Sequence, residues 1–218
     1  MKRLVVVISG RGSNLDAIVS RCAAENWPVD IAMVISNRPQ AQGLAVAAAH
    51  GIACQVVDHA AFPTREAFDA ALGDALDAQA PDLVALAGFM RILSPAFFAR
   101  FNGRMLNIHP SLLPAFRGMH THQQAIDAGV QVHGCTVHAV TPDLDHGPIL
   151  AQAVVPVLPD DDIPRLASRV LAAEHQIYPM ALAAALSGRC RLEHGRWVDS
   201  GRGAFDHAFH SCLMLPAA

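Results

Sequence analysis

The apolar run Leu4-Val5-Val6-Val7-Ile8 stops at Ser9-Gly10, and a helical pattern follows across a short glycine-rich turn. A continuous, mostly β-branched run without polar alternation suits a strand covered on both faces, as in a parallel sheet. Leu15, Ile18, Val19 and Cys22 then fall at i, i+3, i+4 and i+7, one face of a helix. The same order recurs along the chain. Residues 31–35 read as a second strand, 45–50 as a helix with Gly51 at its C′ position, and 52–57 as a third strand. Thr64 caps a helix running to about Gln79, and 83–87 form another buried strand. Ser94-Pro95 carries the N-cap then N1-proline signature of a short helix through Phe101, before a strand at 105–109. Strands separated by helices predict an α/β fold: a doubly wound, mostly parallel, Rossmann-like sheet.

The pattern changes after Gly134. Residues 135–140 and 149–157 alternate like strands, joined by Thr141-Pro142-Asp143-Leu144-Asp145-His146-Gly147-Pro148. That link is too short for a helical crossover, so the two strands are expected to pair antiparallel. A long C-terminal helix follows over 161–186, with Pro179 as a point of interruption, then a small strand pair within 191–198. From Asp199 onward the composition is irregular and predicts a loosely held tail.

Composition narrows the function classes. A hydrophobic fraction of 52% with 16% charged residues predicts a soluble globular chain. A formal net charge of -3 supplies no basic field, so no nucleic-acid partner is expected. The five cysteines are scattered and form no C-x-x-C pair, which argues against a disulfide scaffold or a cysteine zinc site and suits a reducing cytoplasm. The opening Met1-Lys2-Arg3 and its apolar run mimic a signal peptide, but the run is too short for an h-region or a membrane span. No membrane role is expected.

Chemistry concentrates in Met105-Leu106-Asn107-Ile108-His109-Pro110. Successive strand residues point to opposite faces, so Asn107 and His109 share one. Pro110 ends sheet pairing just after the histidine. The pair therefore stands at the carboxyl end of a strand, where open α/β sheets bind ligands. An amide donor beside an imidazole suits an oxyanion better than a core. Asp145, in a loop rich in turn-formers, is the candidate to orient His109 and favour its charged form. The competing reading of Asp145 is an Asx-turn residue, and Asp143 competes for the same role.

Gly10-Arg11-Gly12-Ser13-Asn14 lies between strand and helix, where backbone amides attract phosphate. A dinucleotide fingerprint would need a third glycine where Leu15 stands and an acid where Ser36-Asn37-Arg38 stands. A Walker A ending is missing too. The loop therefore suits a single phosphate monoester, against the alternative of a tight turn without a ligand. His120 and His122 flank Thr121, a candidate helix cap. No further ligand pattern accompanies them, so no metal is expected. His133, His138 and His175 read as structural, and His207 and His210 carry no inference.

Four segments occur in an order that carries a resemblance: Ser9-Gly10-Arg11-Gly12-Ser13-Asn14-Leu15, Gly88-Phe89-Met90-Arg91-Ile92-Leu93, Leu106-Asn107-Ile108-His109-Pro110-Ser111-Leu112-Leu113-Pro114 and Leu144-Asp145-His146-Gly147-Pro148. The chain closely resembles the folate-dependent phosphoribosylglycinamide formyltransferases of purine synthesis, over roughly residues 1–198. The Asn-x-His-Pro-Ser-Leu-Leu-Pro segment alone marks a wider superfamily of formyl-folate enzymes. The resemblance implies one formyltransferase domain over 1–198, with a phosphate-binding half at 1–103, a catalytic and folate-binding half at 104–198, and a tail at 199–218. It implies 10-formyltetrahydrofolate as co-substrate and glycinamide ribonucleotide as acceptor, with no metal. Asn107, His109 and Asp145 would be catalytic. Gly12, Ser13 and Asn14 would hold the phosphate, and Glu174 would touch the ribose. Arg65, Met90, Arg91, Ile92, Leu93, Asn107, Thr141 and Asp145 would line the folate site. His146 departs from the pattern, since relatives often have glycine beside the aspartate.

Rival readings remain within and outside that superfamily. A methionyl-tRNA formyltransferase would need a further basic C-terminal domain. A formyltetrahydrofolate deformylase usually carries an N-terminal regulatory domain and has no use for a sugar-phosphate loop. A non-catalytic nucleotide-binding module would not need the Asn107, His109 and Asp145 set. The resemblance leaves monomer or homodimer open.

Overall fold

In the computed structural model, Leu4 to Ile8 are each 0% exposed within strand β1 (Lys2–Ile8). The structure describes residues 1–201 and 212–214. Packing divides it into two units, Met1–Asn107 and Ile108–Ala218, which are taken in turn.

The first unit is a parallel α/β sheet. Strands β2 (Val29–Ser36), β3 (Cys54–Val56), β4 (Leu83–Leu86) and β5 (Met105–His109) join β1, with the unit boundary inside β5. The order is β3-β2-β1-β4-β5 and every pairing is parallel. Helices α1 (Ser13–Ala24), α2 (Gly43–Ala49), α3 (Arg65–Asp77) and α4 (Pro95–Phe101) separate the strands. Because β1 has β2 on one side and β4 on the other, the winding reverses there. The carboxyl ends of β1 and β4 therefore flank a topological switch point.

The predicted caps are present. Thr64 accepts a hydrogen bond from the amide of Ala67 at 3.1 Å, and Ser94 from that of Phe97 at 3.4 Å. Gly12 requires its lack of a side chain twice over. Its φ is +83°, and a Cβ would lie 2.4 Å from the Cα of Gly43.

The second unit pairs β6 (Val132–Ala139) antiparallel with β7 (Ile149–Pro156), as the short link required. Helix α6 (Ile163–Leu186) packs on both strands, capped by Asp162 through the amide of Arg165. A short helix α5 (Thr121–Asp127) and a hairpin of β8 (Cys190–Glu193) and β9 (Arg196–Asp199) complete it.

Four expectations need correction. Pro179 does not interrupt α6: the flanking Ile177, Tyr178, Ala181 and Leu182 are fully buried, and their packing holds the helix across the missing amide. Thr121 is the first residue of α5 rather than its cap; its hydroxyl donates to the carbonyl of Pro110 at 2.7 Å, while His120 occupies the cap at φ +59°. Strand β6 starts at Val132 because Gly134 pairs with Val154 in the ladder. The tail contains a strand, β10 (Cys212–Met214), parallel to β7. His207 and His210 lie outside the described residues. Among the described residues, no helix is long and apolar enough to cross a membrane.

A Cβ on Gly134 would sit 1.9 Å from the carbonyl oxygen of Ala153 and 2.9 Å from Leu112 Cδ2. The backbone cannot yield without breaking the β6–β7 ladder. Gly134→Ala is expected to destabilise the protein by about 3 kcal/mol or more, read as a lower urea midpoint.

Candidate active site

In the first unit, the loop after β1 is built to bring backbone amides forward. Gly12 caps α1 in the left-handed region with no side-chain cap, and the amide of Gly43 donates to the carbonyl of Gly10 at 3.0 Å. The first amides of a helix begun this way point at an incoming anion. At the end of β2, where a dinucleotide site would hold an acid, Asn37 is buried and its carbonyl accepts from His59 Nδ1 at 2.8 Å. Ser36 Oγ bonds to the carbonyl and amide of Arg38. That strand end carries no acidic side chain at the position a dinucleotide site would need.

Between β4 and α4, residues 88–93 have no regular structure, yet Phe89 and Leu93 are buried while Met90 is 70% and Ile92 59% exposed. Arg91 is exposed with them. Arg65 opens α3, half-exposed, and its guanidinium lies 3.3 Å from Glu66.

In the second unit, His109 closes β5 ahead of Pro110, 5% exposed. Its Nδ1 lies 3.4 Å from Asp145 Oδ2, and its Nε2 lies 3.1 Å from the carbonyl oxygen of Phe116. Both partners are acceptors for a ring N–H. Asp145 stands between β6 and β7 at φ +49° with its side chain 9% exposed. Its Oδ2 also accepts the amide of Gly118 at 2.9 Å, and its Oδ1 lies 3.9 Å from His138 Nε2. The Asx-turn reading of Asp145 thus gives way: the carboxylate serves residues far along the chain, not its own turn. Asp143 does not compete, being exposed and 3.8 Å from the exposed His146. Thr141 donates its hydroxyl to the carbonyl of Asp143 at 3.2 Å. Asn107 is half-buried two residues before His109 on the same strand.

Three partners of this centre escaped sequence reasoning. His138 was expected to be structural and instead faces Asp145. Burial holds its pKa below the usual histidine value, partly offset by the Ala139 carbonyl, 3.0 Å from Nδ1, and by Asp145. The Phe116 carbonyl and Gly118 amide are backbone groups, which side-chain patterns do not mark. Glu174, on α6, is buried and near Cys135, whose thiol pKa is raised first by burial and then by that carboxylate.

His133 on β6 is fully buried, edge-on to His122 at 5.3 Å and to Phe116 at 5.8 Å between ring centroids. The rings pack edge to face, and among the described residues no group of three or more His, Cys, Asp or Glu side chains is placed to hold a metal ion. Burial, then the neighbouring His122, lowers the His133 pKa to about 4, against a lift from the Pro110 carbonyl. A histidine that is neutral when folded and charged when unfolded favours unfolding in acid. Its contribution is intact above about pH 6.5 and is lost as pH falls toward about 4, at most about 3 kcal/mol. Urea unfolding across this range is expected to show that loss, and His133→Phe should flatten it.

A protein-family model described as formyl transferase matches residues 2–182. The chain is 46% identical over 200 residues to phosphoribosylglycinamide formyltransferase of Escherichia coli K12, covering 91% of this chain and 94% of that one. It is 48% identical over 199 residues to the trifunctional purine biosynthetic protein adenosine-3 of Bos taurus, covering 90% of this chain but 20% of that protein. The chain thus spans about a fifth of the bovine relative. Among solved structures, glycinamide ribonucleotide transformylase 1 of Symbiobacterium toebii superposes with a TM-score of 0.88 at 48% identity, covering 91% and 94% of the two chains. The chain belongs to the formyl transferase family.

Proposed function

We propose that this formyl transferase moves a formyl group from 10-formyltetrahydrofolate to the amine of glycinamide ribonucleotide, in cytoplasmic de novo purine biosynthesis. The observation that carries the mechanism is the approach of Asp145 to His109 in a buried setting, 3.4 Å between Oδ2 and Nδ1. The name of the Escherichia coli relative supplies the formyl group and its acceptor, and the sequence resemblance supplies the folate donor.

Gly12, Ser13 and Asn14 hold the phosphate with backbone and side-chain donors at the start of α1, and Glu174 meets the ribose. Arg65, Met90, Arg91, Ile92, Leu93 and Thr141 line the folate. As the amine attacks the formyl carbon, negative charge grows on the formyl oxygen. Asn107 and protonated His109 donate hydrogen bonds to it, each worth about 3 kcal/mol in such a setting. Asp145 stabilises the imidazolium and, through water, moves a proton from the attacking nitrogen to the departing folate nitrogen. The new C–N bond forms first and gives a tetrahedral intermediate; its collapse breaks the C–N bond to the protonated folate nitrogen, so bonds and protons balance without a metal or a protein nucleophile.

The Nε2 proton needed at the formyl oxygen is donated to the Phe116 carbonyl at 3.1 Å. The formyl oxygen must replace that carbonyl as acceptor. Phe116 is held at φ +53°, a conformation costing an L-residue about 1–2 kcal/mol.

An absorbance assay with both substrates, repeated with each omitted, tests the reading. Turnover is expected only when both are present. Formate release without the ribonucleotide would instead identify a hydrolase. His109→Ala and Asp145→Asn should each lower kcat by on the order of 100-fold, with the ribonucleotide KM little changed. Full turnover in either variant would remove the catalytic assignment.

A further inference from the structure

We propose that Ser9 and Asp69 are positioning residues that pin the two ends of segment 90–93 and thereby set its affinity for the formyl folate, an inference that rests on the function proposed above. The segment needs such a device. It belongs to no helix or strand, and it holds Met90, Arg91 and Ile92 out to solvent, where apolar side chains would otherwise fold back. An unrestrained loop of this kind would lose its conformational freedom on every binding event, and prior ordering removes that loss from the binding equilibrium.

The structure supplies one restraint at each end. At the start, the amide of Met90 donates to Ser9 Oγ at 2.9 Å. Ser9 is 4% exposed and directly follows β1, so this bond crosses the switch point from the end of β1 to the segment that follows β4. At the far end, the amide of Ser94 donates to Asp69 Oδ2 at 2.5 Å, and Ser94 in turn caps α4 through Phe97. Asp69 lies on the buried face of α3, 2% exposed. Its second oxygen, Oδ1, is buried with no hydrogen-bond partner among the described residues. A buried carboxylate with a single partner is costly to keep, and an aliphatic residue would serve α3 packing better. The bond to Ser94 is what distinguishes the aspartate. Ser9 has a second consequence: it immediately precedes the glycine loop, so one residue fixes the origins of both the phosphate loop and the folate segment.

Steady-state kinetics of the full chain with both substrates test this. Asp69→Ala is expected to raise the KM for the formyl folate about tenfold while the ribonucleotide KM stays within twofold. Asp69→Asn, which keeps an acceptor oxygen for the Ser94 amide, should restore most of the difference. Ser9→Ala, acting on the opposite end, should raise the folate KM in the same direction. Hydrogen exchange supplies a readout independent of turnover: amides of 90–94 should lose protection in both alanine variants, more than those of β1 and β4. Equal rises in both KM values, unchanged folate KM, or unchanged exchange at 90–94 would overturn the positioning role. A wild-type protein that turns over neither substrate would defeat the functional reading instead. The exchange result would still judge the pinning if Asp69→Ala failed to fold, because Ser9→Ala carries it separately.

Discussion

Everything in the second unit's chemistry follows from how one withdrawn carboxylate is satisfied. Asp145 is nearly closed off from solvent, and an ionised carboxylate there is tolerable only with donors around it. It receives the Gly118 amide and lies within ion-pair range of His109 on one oxygen, with His138 beyond the other. The fold serves this arrangement in specific ways. The turn between β6 and β7 bends through a left-handed aspartate, and β5 ends at His109 just ahead of a proline, so that the imidazole and the carboxylate meet. His138, whose burial favours the neutral ring against the opposing pull of the Ala139 carbonyl and Asp145, contributes shape beside the carboxylate.

The first unit solves a different problem: presenting loop backbone at the end of a parallel sheet. The parallel sheet reverses its winding beside β1, and the two segments that emerge there are tied by a single hydroxyl. Glycine at position 12 lets the loop approach α2 at a distance no side chain permits. Rigidity comes from the strands and helices, and the exposed groups are those that such a frame presents.

Much of this was legible in the residues because it depends on local periodicity and caps. The run at 4–8, the caps at Thr64 and Ser94, and the alternation that puts Asn107 and His109 on one face are all properties of short windows. The antiparallel β6–β7 pair followed from the length of its link. What escaped depends on tertiary neighbours. His138 looks like any strand histidine until the chain returns with Asp145. Phe116 and Gly118 act through backbone atoms that every residue possesses. Pro179 reads as a break unless one knows that both of its flanks are sealed in the core. The roles of Asp69 and Ser9 are equally invisible, since an aspartate in a helix and a serine after a strand are ordinary on their own.

Strand β10 has an outcome for colloidal behaviour. Beside β6, the opposite margin of β7 would be a row of open amides and carbonyls, the surface on which foreign strands add. Residues 212–214 occupy that margin in parallel, from the same polypeptide. Along those residues the ladder of β7 is already sealed, and an intruding strand meets instead the three-residue margin of β10, a short edge on which to nucleate a cross-β stack.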